Sequence, residues 1–174
     1  MGFVRRALVS MLLAFALLGP AQAASLRAAV AAYDRGNFNA AAAMFQPLAL
    51  AGNARAQSYL GFLFQTGHGV PQSYVDAVYW YQRAAEQGDT SAQYMLGLLY
   101  DKGQGVAQNY VEAHKWLNLA AAHASPRSRD YSARLRDAMA TKMTRGEITT
   151  ARWLAVRWFP VPEHPHAVVV VPHP

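Results

Sequence analysis

Apolar residues recur at three- and four-residue intervals along most of the chain, the spacing that places them on one face of an α-helix. Ala56, Tyr59, Leu60, Leu63 and Phe64 share one such face, and Ala77, Trp80, Tyr81, Ala84 and Ala85 share a second. Between them, Gly67 and Gly69 end the first helix and turn the chain. Ser73 stands at the N-cap of the second helix with Asp76 three residues on, and Asn109 with Glu112 repeats the arrangement. The connections Gly67–Gln72 and Gly103–Gln108 are too short for a crossover, which predicts antiparallel helix pairs.

The pattern is duplicated. Displaced by 36 residues, Ala56–Ala85 falls on Ala92–Ala121 with 15 of 30 positions identical and no gap. The matches include Leu60/Leu96, Gly61/Gly97, Gly67/Gly103, Gly69/Gly105, Val70/Val106, Tyr74/Tyr110 and Trp80/Trp116. A period of this length is that of stacked two-helix units. Gly61 and Gly97 interrupt good helices, and the gain expected is close approach between helices, since no Cβ holds them apart. A diverged copy precedes these two: Asn37-Phe38 matches Ser73-Tyr74, Ala41 matches Ala77, and Gly52–Gln57 echoes Gly88–Gln93. Its first helix, about Leu26 to Asp34, turns through Arg35-Gly36 alone, four residues shorter than the later turns.

Two further helices follow. Ser125-Pro126 supplies an N-cap and a proline at the first helical position, and a polar helix runs to about Lys142. Thr144 and Glu147 form a capping box, after which Ile148, Ala151, Leu154, Ala155 and Trp158 face one way. An open-ended stack needs a terminal element with one polar side, and residues 125–158 fit that need. Residues 159–174, rich in proline and histidine, are expected to form a mobile tail.

The pattern Ala-Gln-x-x-Leu-Gly-x-Leu, then Gly-x-Gly-Val-x-Gln-x-Tyr-x-x-Ala, then Trp and Ala-Ala resembles the Sel-like repeat. This is the branch of the tetratricopeptide superfamily with a longer inter-helix loop, and the resemblance covers about Leu26 to His123. It implies an all-α fold, a short right-handed α-solenoid with a concave groove, serving as adaptor or scaffold. Its repeats would span about residues 25–52, 53–88 and 89–124, the first closer to an ordinary tetratricopeptide unit. Some exported members staple their repeats with cysteines. This chain has no cysteine, so packing must hold it together.

In the family's arrangement, Phe62, Tyr94 and Leu98 face the groove. They lie off the main apolar stripe, beside Arg55, Ser58, Gln65, Ser91 and Asp101. Apolar groups flanked by polar ones suit an extended or helical peptide. Contact with the preceding repeat or the N-terminal helix is the equal alternative. Trp80, Trp116, Tyr81, Tyr74 and Tyr110 sit at core spacing, so packing is their expected role.

Composition adds a leader and a basic end. Arg5 and Arg6 precede an apolar run, Ala7–Leu18, then Gly19-Pro20 and the small-x-small site Ala21-Gln22-Ala23. This reads as a cleavable export signal over residues 1–23. As a helix the run spans about 18 Å, short of the roughly 30 Å hydrocarbon core, so no transmembrane segment is expected after cleavage. Without a cysteine to acylate, a lipoprotein is excluded. The expected location is the bacterial periplasm or the exterior.

From Ala24 to Ala124 basic and acidic residues number six each. From Ser125 to Trp158, Arg127, Arg129, Arg134, Arg136, Lys142, Arg145, Arg152 and Arg157 outnumber Asp130, Asp137 and Glu147. The excess behind the formal net charge of +6 is thus local, which argues against a nucleic-acid partner. It opens a rival to groove binding, in which the basic end attracts lipopolysaccharide, phospholipid or an acidic protein at the envelope surface.

Candidate chemistry is sparse. His114 occupies the position of Val78 in the other copy and is expected on the helix surface; His68 replaces Gln104, and His123 replaces Gln87. None lies in a spacing that converges metal ligands on a helix face. His164, His166 and His173 in the tail could hold a divalent cation loosely, against a cost in ordering entropy. Ala167–Val171 could add as a strand to a partner's sheet, although disorder or packing on the body is the stronger expectation. No nucleophile elbow, phosphate loop or dinucleotide fingerprint occurs. Gly67-His68-Gly69 and Gly103-Gln104-Gly105 recur at the repeat period, which makes them structural. Asp76 and Glu112 are equivalent caps in separate units, not a dyad. The sequence therefore implies no enzyme, no cofactor and no metal site, and a protein or peptide as partner.

Overall fold

In the computed structural model, residues 25–162 are described, and they contain eight α-helices and no strand. These are α1 (25–34), α2 (Phe38–Leu50), α3 (Ala54–Thr66), α4 (Tyr74–Glu86), α5 (Thr90–Lys102), α6 (Tyr110–His123), α7 (Pro126–Ala140) and α8 (Arg145–Arg157). From α2 to α7 each helix packs on the next, and α3 also touches α5. The result is an all-α solenoid. The leader and the tail beyond Pro162 lie outside the described residues.

The helix ends follow the sequence. Ser73 Oγ accepts from the Asp76 amide at 3.2 Å, and Asn109 Oδ1 accepts from the amides of Val111 and Glu112. Gly67 and Gly103 close α3 and α5 in the left-handed conformation, at φ of 74° and 66°. Thr144 and Glu147 form the expected capping box. Ser125 departs from expectation: it precedes Pro126, but its hydroxyl bonds Ser128 Oγ instead of a backbone amide.

Two pairs of glycines set how closely the helices approach. A Cβ on Gly61 would stand 2.8 Å from the Tyr81 ring, and one on Gly97 would stand 2.8 Å from Leu117 Cγ. Each glycine thus lets α3 or α5 meet the second helix of its own repeat, as the sequence implied. The second loop glycine works between repeats. Gly69 lies against the Phe38 carbonyl at the start of α2, and Gly105 against the Tyr74 carbonyl at the start of α4; both have positive φ.

Two buried glutamines reinforce the stacking. Gln57 Nε2 donates to the Ala49 carbonyl and Gln93 Nε2 to that of Ala85, at 3.0 and 3.2 Å. These carbonyls belong to the last turns of α2 and α4, which lack partners within the helix. The core runs as successive clusters of small and large residues. Ala41, Phe45, Ala56, Leu60, Leu63 and Trp80 form the first; Ala77, Tyr81, Ala84, Leu96, Leu99 and Trp116 the second. Trp80, Trp116 and Tyr81 are buried, and Tyr74 and Tyr110 are half-buried.

The C-terminal end differs from a regular repeat. Both α7 and α8 pack on α6, and they make little contact with each other. After α8 the chain turns back: Trp158 meets Trp116 edge-to-face, Pro160 lies beside Gly88, and the Val161 amide donates to the Glu86 carbonyl at 2.9 Å. Residues 159–162, read from sequence as the start of the tail, therefore form a strap against the second repeat.

Clasping α6 from two sides buries His114, which corrects the expectation that it lies on the surface. It is 1% exposed, and its Nδ1 has no hydrogen-bond partner among the described residues. Burial lowers its pKa, the nearby Arg136 and Arg152 lower it further, and Asp137 opposes them.

Loop packing predicts a graded response to alanine. Gly36→Ala meets open space and bears only a left-handed backbone, about 1–2 kcal/mol. Gly105→Ala adds collision with the Tyr74 carbonyl and should cost roughly 2–5 kcal/mol in urea denaturation. Equal costs would show that the loop does not bear on α4.

For His114, the folded state takes up the imidazole proton at lower pH than the unfolded chain does. Stability is therefore complete above the unfolded pKa of about 6.5 and falls as pH drops through it. His114→Val, carrying the residue of the other repeat, should flatten the fall in thermal midpoint between about pH 7 and 5. An unchanged slope would place the titration elsewhere.

Candidate functional site

The first helix of each unit lines one side of the stack. Two adjoining hollows lie there, of about 380 and 670 Å³, sharing Ser91 and Met95. Tyr33 of α1 begins the floor. Its ring meets those of Tyr59 and Phe62 edge-on, at centroid distances of 5.1 and 6.0 Å. Met95 continues the floor on α5, and Tyr94 meets Tyr131 of α7 at 5.7 Å. Together these side chains make one trough from α1 to α7.

Polar groups rim it. Arg55 and Asp89 bring one charge of each sign, with Ser58, Ser91, Ser128 and Ser132 between and beyond them. Arg55 also lies 5.9 Å over the Tyr59 ring. Two of the trough's phenols are held neutral: burial raises the Tyr33 pKa, and burial with a hydrogen bond to Tyr131 pushes Tyr94 up to about 12. Across the ordinary pH range they can both donate and accept.

Of the eight residues singled out from sequence, Arg55, Ser58, Phe62, Ser91 and Tyr94 line this trough. The other three do not. Gln65 accepts the Tyr81 hydroxyl at 2.8 Å between α3 and α4. Leu98 is half-buried. Asp101 holds Lys142 Nζ at 3.0 Å, an ion pair from α5 to the segment after α7. Phe62 touches Tyr33 of the N-terminal helix and also lines the hollow.

Sequence reasoning missed Tyr33, Met95 and Tyr131, and assigned Tyr59 to the core. A signal was present: Tyr59, Met95 and Tyr131 are spaced by the same 36 residues, so α7 continues the register of the first helices.

The basic residues do not form one uniform patch. Arg136 bonds Asn118 Oδ1 and Asp137, and Lys142 is held by Asp101 beside the Tyr110 ring. Arg129 and Arg134 are exposed on α7, and Arg145, Arg152 and Arg157 are exposed on α8. The Arg127 side chain is outside those described. No helix among the described residues is long and apolar enough to cross a membrane.

The comparisons with known proteins agree with this architecture. The Sel1 repeat family model matches residues 54–89 and 90–125. A solved structure of a protective antigen from uropathogenic Escherichia coli strains, displaying an SLR fold, is similar with a TM-score of 0.70 at 27% identity. That match covers 77% of this chain and 29% of the antigen. A Sel1 repeat protein from Oxalobacter formigenes matches with a TM-score of 0.56 at 35% identity, over 60% of this chain and 41% of its own. The chain thus spans well under two thirds of either protein's length. No curated protein matches it. Sel1 repeats generally act as protein-interaction scaffolds. Residues 54–125 are thus two Sel1 repeats in register, with α-helices stacked on both sides of them, as in the Sel-like repeat structures to which the chain is similar.

Proposed function

We propose that this protein is an exported, non-catalytic adaptor of the bacterial cell envelope that holds a segment of another protein in its concave trough. The observation that carries the reading is the floor of aromatic side chains and Met95, from Tyr33 through Phe62 to Tyr131 across two adjoining hollows, rimmed by hydroxyls and balanced charge. Aromatic rings offer large contact areas at low entropic cost, and the neutral phenols can bond a peptide backbone in either sense. A trough with one cation and one anion selects by shape and hydrogen bonding more than by net charge. Export rests on the leader pattern of Arg5, Arg6, Ala7–Leu18 and Ala21-Gln22-Ala23.

A crosslinkable residue at Met95 or Tyr131 should trap a protein partner in the envelope, and the same group at exposed Val75 of α4 should not. Tyr131 is 58% exposed, so Tyr131→Ala leaves the fold intact and should weaken that partner by on the order of tenfold. The complex should persist at high salt, because its contacts are apolar and short-range. Equal trapping from Val75, or affinity untouched by both Tyr131→Ala and Phe62→Ala, would reject the trough. A secreted or periplasmic product whose N-terminus follows Ala23 tests the export step.

A further inference from the structure

The trough leaves the outer face of α8 without a role. Ala151 and Ala155 point inward, with Ile148, Leu154 and Trp158 half-buried beside them. At about 100° per residue, the opposite side has Thr149, Trp153 and Val156 at its centre. Arg145 and Arg152 follow one border of that face and Arg157 the other. Trp153 is 55% exposed and Val156 83%, and Phe159, 73% exposed, prolongs the surface past the helix end. A shallow cleft of about 340 Å³ opens beside it, adding Leu119, Ala122 and Pro160.

The electrostatics are one-sided. Glu147 is the only acidic residue in α8, and its carboxylate accepts from the Thr144 amide and hydroxyl at 2.7 and 2.8 Å. Among the described residues, Arg145, Arg152 and Arg157 have no carboxylate partner. Arg157 instead lies 4.7 Å over the Trp153 ring. Tryptophan with flanking arginines on a helix lying along a surface is the arrangement that suits a headgroup boundary, where the ring enters and the guanidinium groups meet phosphate. A convex helix face also suits a planar partner better than a peptide, which needs a groove.

We propose that this face docks the protein peripherally on a bilayer rich in anionic phospholipid, with Trp153, Val156 and Phe159 entering the headgroup region. Arg145, Arg152 and Arg157 bind lipid phosphates there. The trough opens along α1, α3, α5 and α7, so docking through α8 leaves it accessible; the inference stands whether or not the trough binds a protein.

The test is sedimentation of the full chain with vesicles of equimolar phosphatidylglycerol and phosphatidylcholine, against vesicles of phosphatidylcholine alone. Variants keep residues 1–24, so any contribution of that segment is common to all. The native chain should prefer the anionic vesicles. Trp153→Ser with Val156→Ser should lower binding about tenfold or more at an unchanged thermal midpoint. Arg152→Glu with Arg157→Glu should abolish the preference for anionic lipid. Brominated lipid should quench tryptophan emission of the native chain more strongly than that of Trp153→Phe. Equal sedimentation of native chain and variants, or equal binding to both vesicle types, overturns the proposal. So does a dimer in sedimentation velocity that Trp153→Ser dissolves while vesicles bind neither protein, since the face would then be a self-association surface.

Discussion

The absence of a Cβ at Gly61 and Gly97 is the constraint on which the rest of the molecule depends. It lets the second helix of each repeat lie directly on the backbone of the first. With the helices that close, alanines suffice between them: Ala56, Ala77, Ala84, Ala92, Ala113 and Ala120 are all fully buried. The loop glycines transmit the spacing onward. Gly69 and Gly105 bear on the first turns of α2 and α4, so each repeat fixes the helix start of its predecessor. Stability in such a stack comes from contacts between neighbours, which is how a chain without cysteine keeps its shape.

Identical packing then carries different side chains in each copy, and those differences make the surface. At Gly61 the neighbour is Tyr81, whose hydroxyl reaches Gln65 and whose ring joins the trough. At Gly97 the neighbour is Leu117, which offers no hydroxyl. Asp101, the equivalent of Gln65, is left for Lys142. A similar exchange occurs at the outer edge. Gln87 donates to Gln57 Oε1 at 2.7 Å, whereas its equivalent His123 bonds the Leu119 carbonyl near Trp158, and Gln93 Oε1 has no partner among the described residues. In both places the second copy is adapted to the helices and strap that follow it.

This explains which features were legible in the sequence. Helix positions, caps and the glycine contacts follow from local spacing and from comparison of the two copies, so periodicity alone located them. Phe62 and Tyr94 were found because they break the apolar stripe. Tyr59 and Met95 were not, because they lie on its border, where a helix in a curved stack contributes to core and trough together. Tyr131 sits in a polar helix with little sequence identity to the repeats, although the period reaches it. His114 was misread for a related reason. Its burial is imposed by α7 and α8 together, whereas the pattern within α6 describes only the face it turns to α5. The already broad apolar content of α6, with Trp116, Leu117 and Leu119 on successive sides, was the available hint that more than one neighbour covers it.

The arrangement of α7 and α8 also connects the end of the solenoid to its charge. In a regular repeat the two helices would face each other and hide their apolar stripes mutually. Here α7 keeps the position of a first helix and extends the trough, while α8 leaves its partner and folds back over α6. Only Ala151 and Ala155 of α8 are then fully covered, so Trp153 and Val156 stay in water. Solubility of such an end demands charge nearby, and the repeats contribute none in net. The surplus of arginine falls on the helices that need it. An apolar ridge bordered by cations would face strong selection against random association, and a single charge sign provides that by repelling its own copies while admitting an anionic surface. The neutral trough and the basic ridge can therefore act on different partners. Among the described residues, the ion pair of Asp101 with Lys142 joins the repeats to the basic segment; it is exposed on the lysine side and offers little coupling.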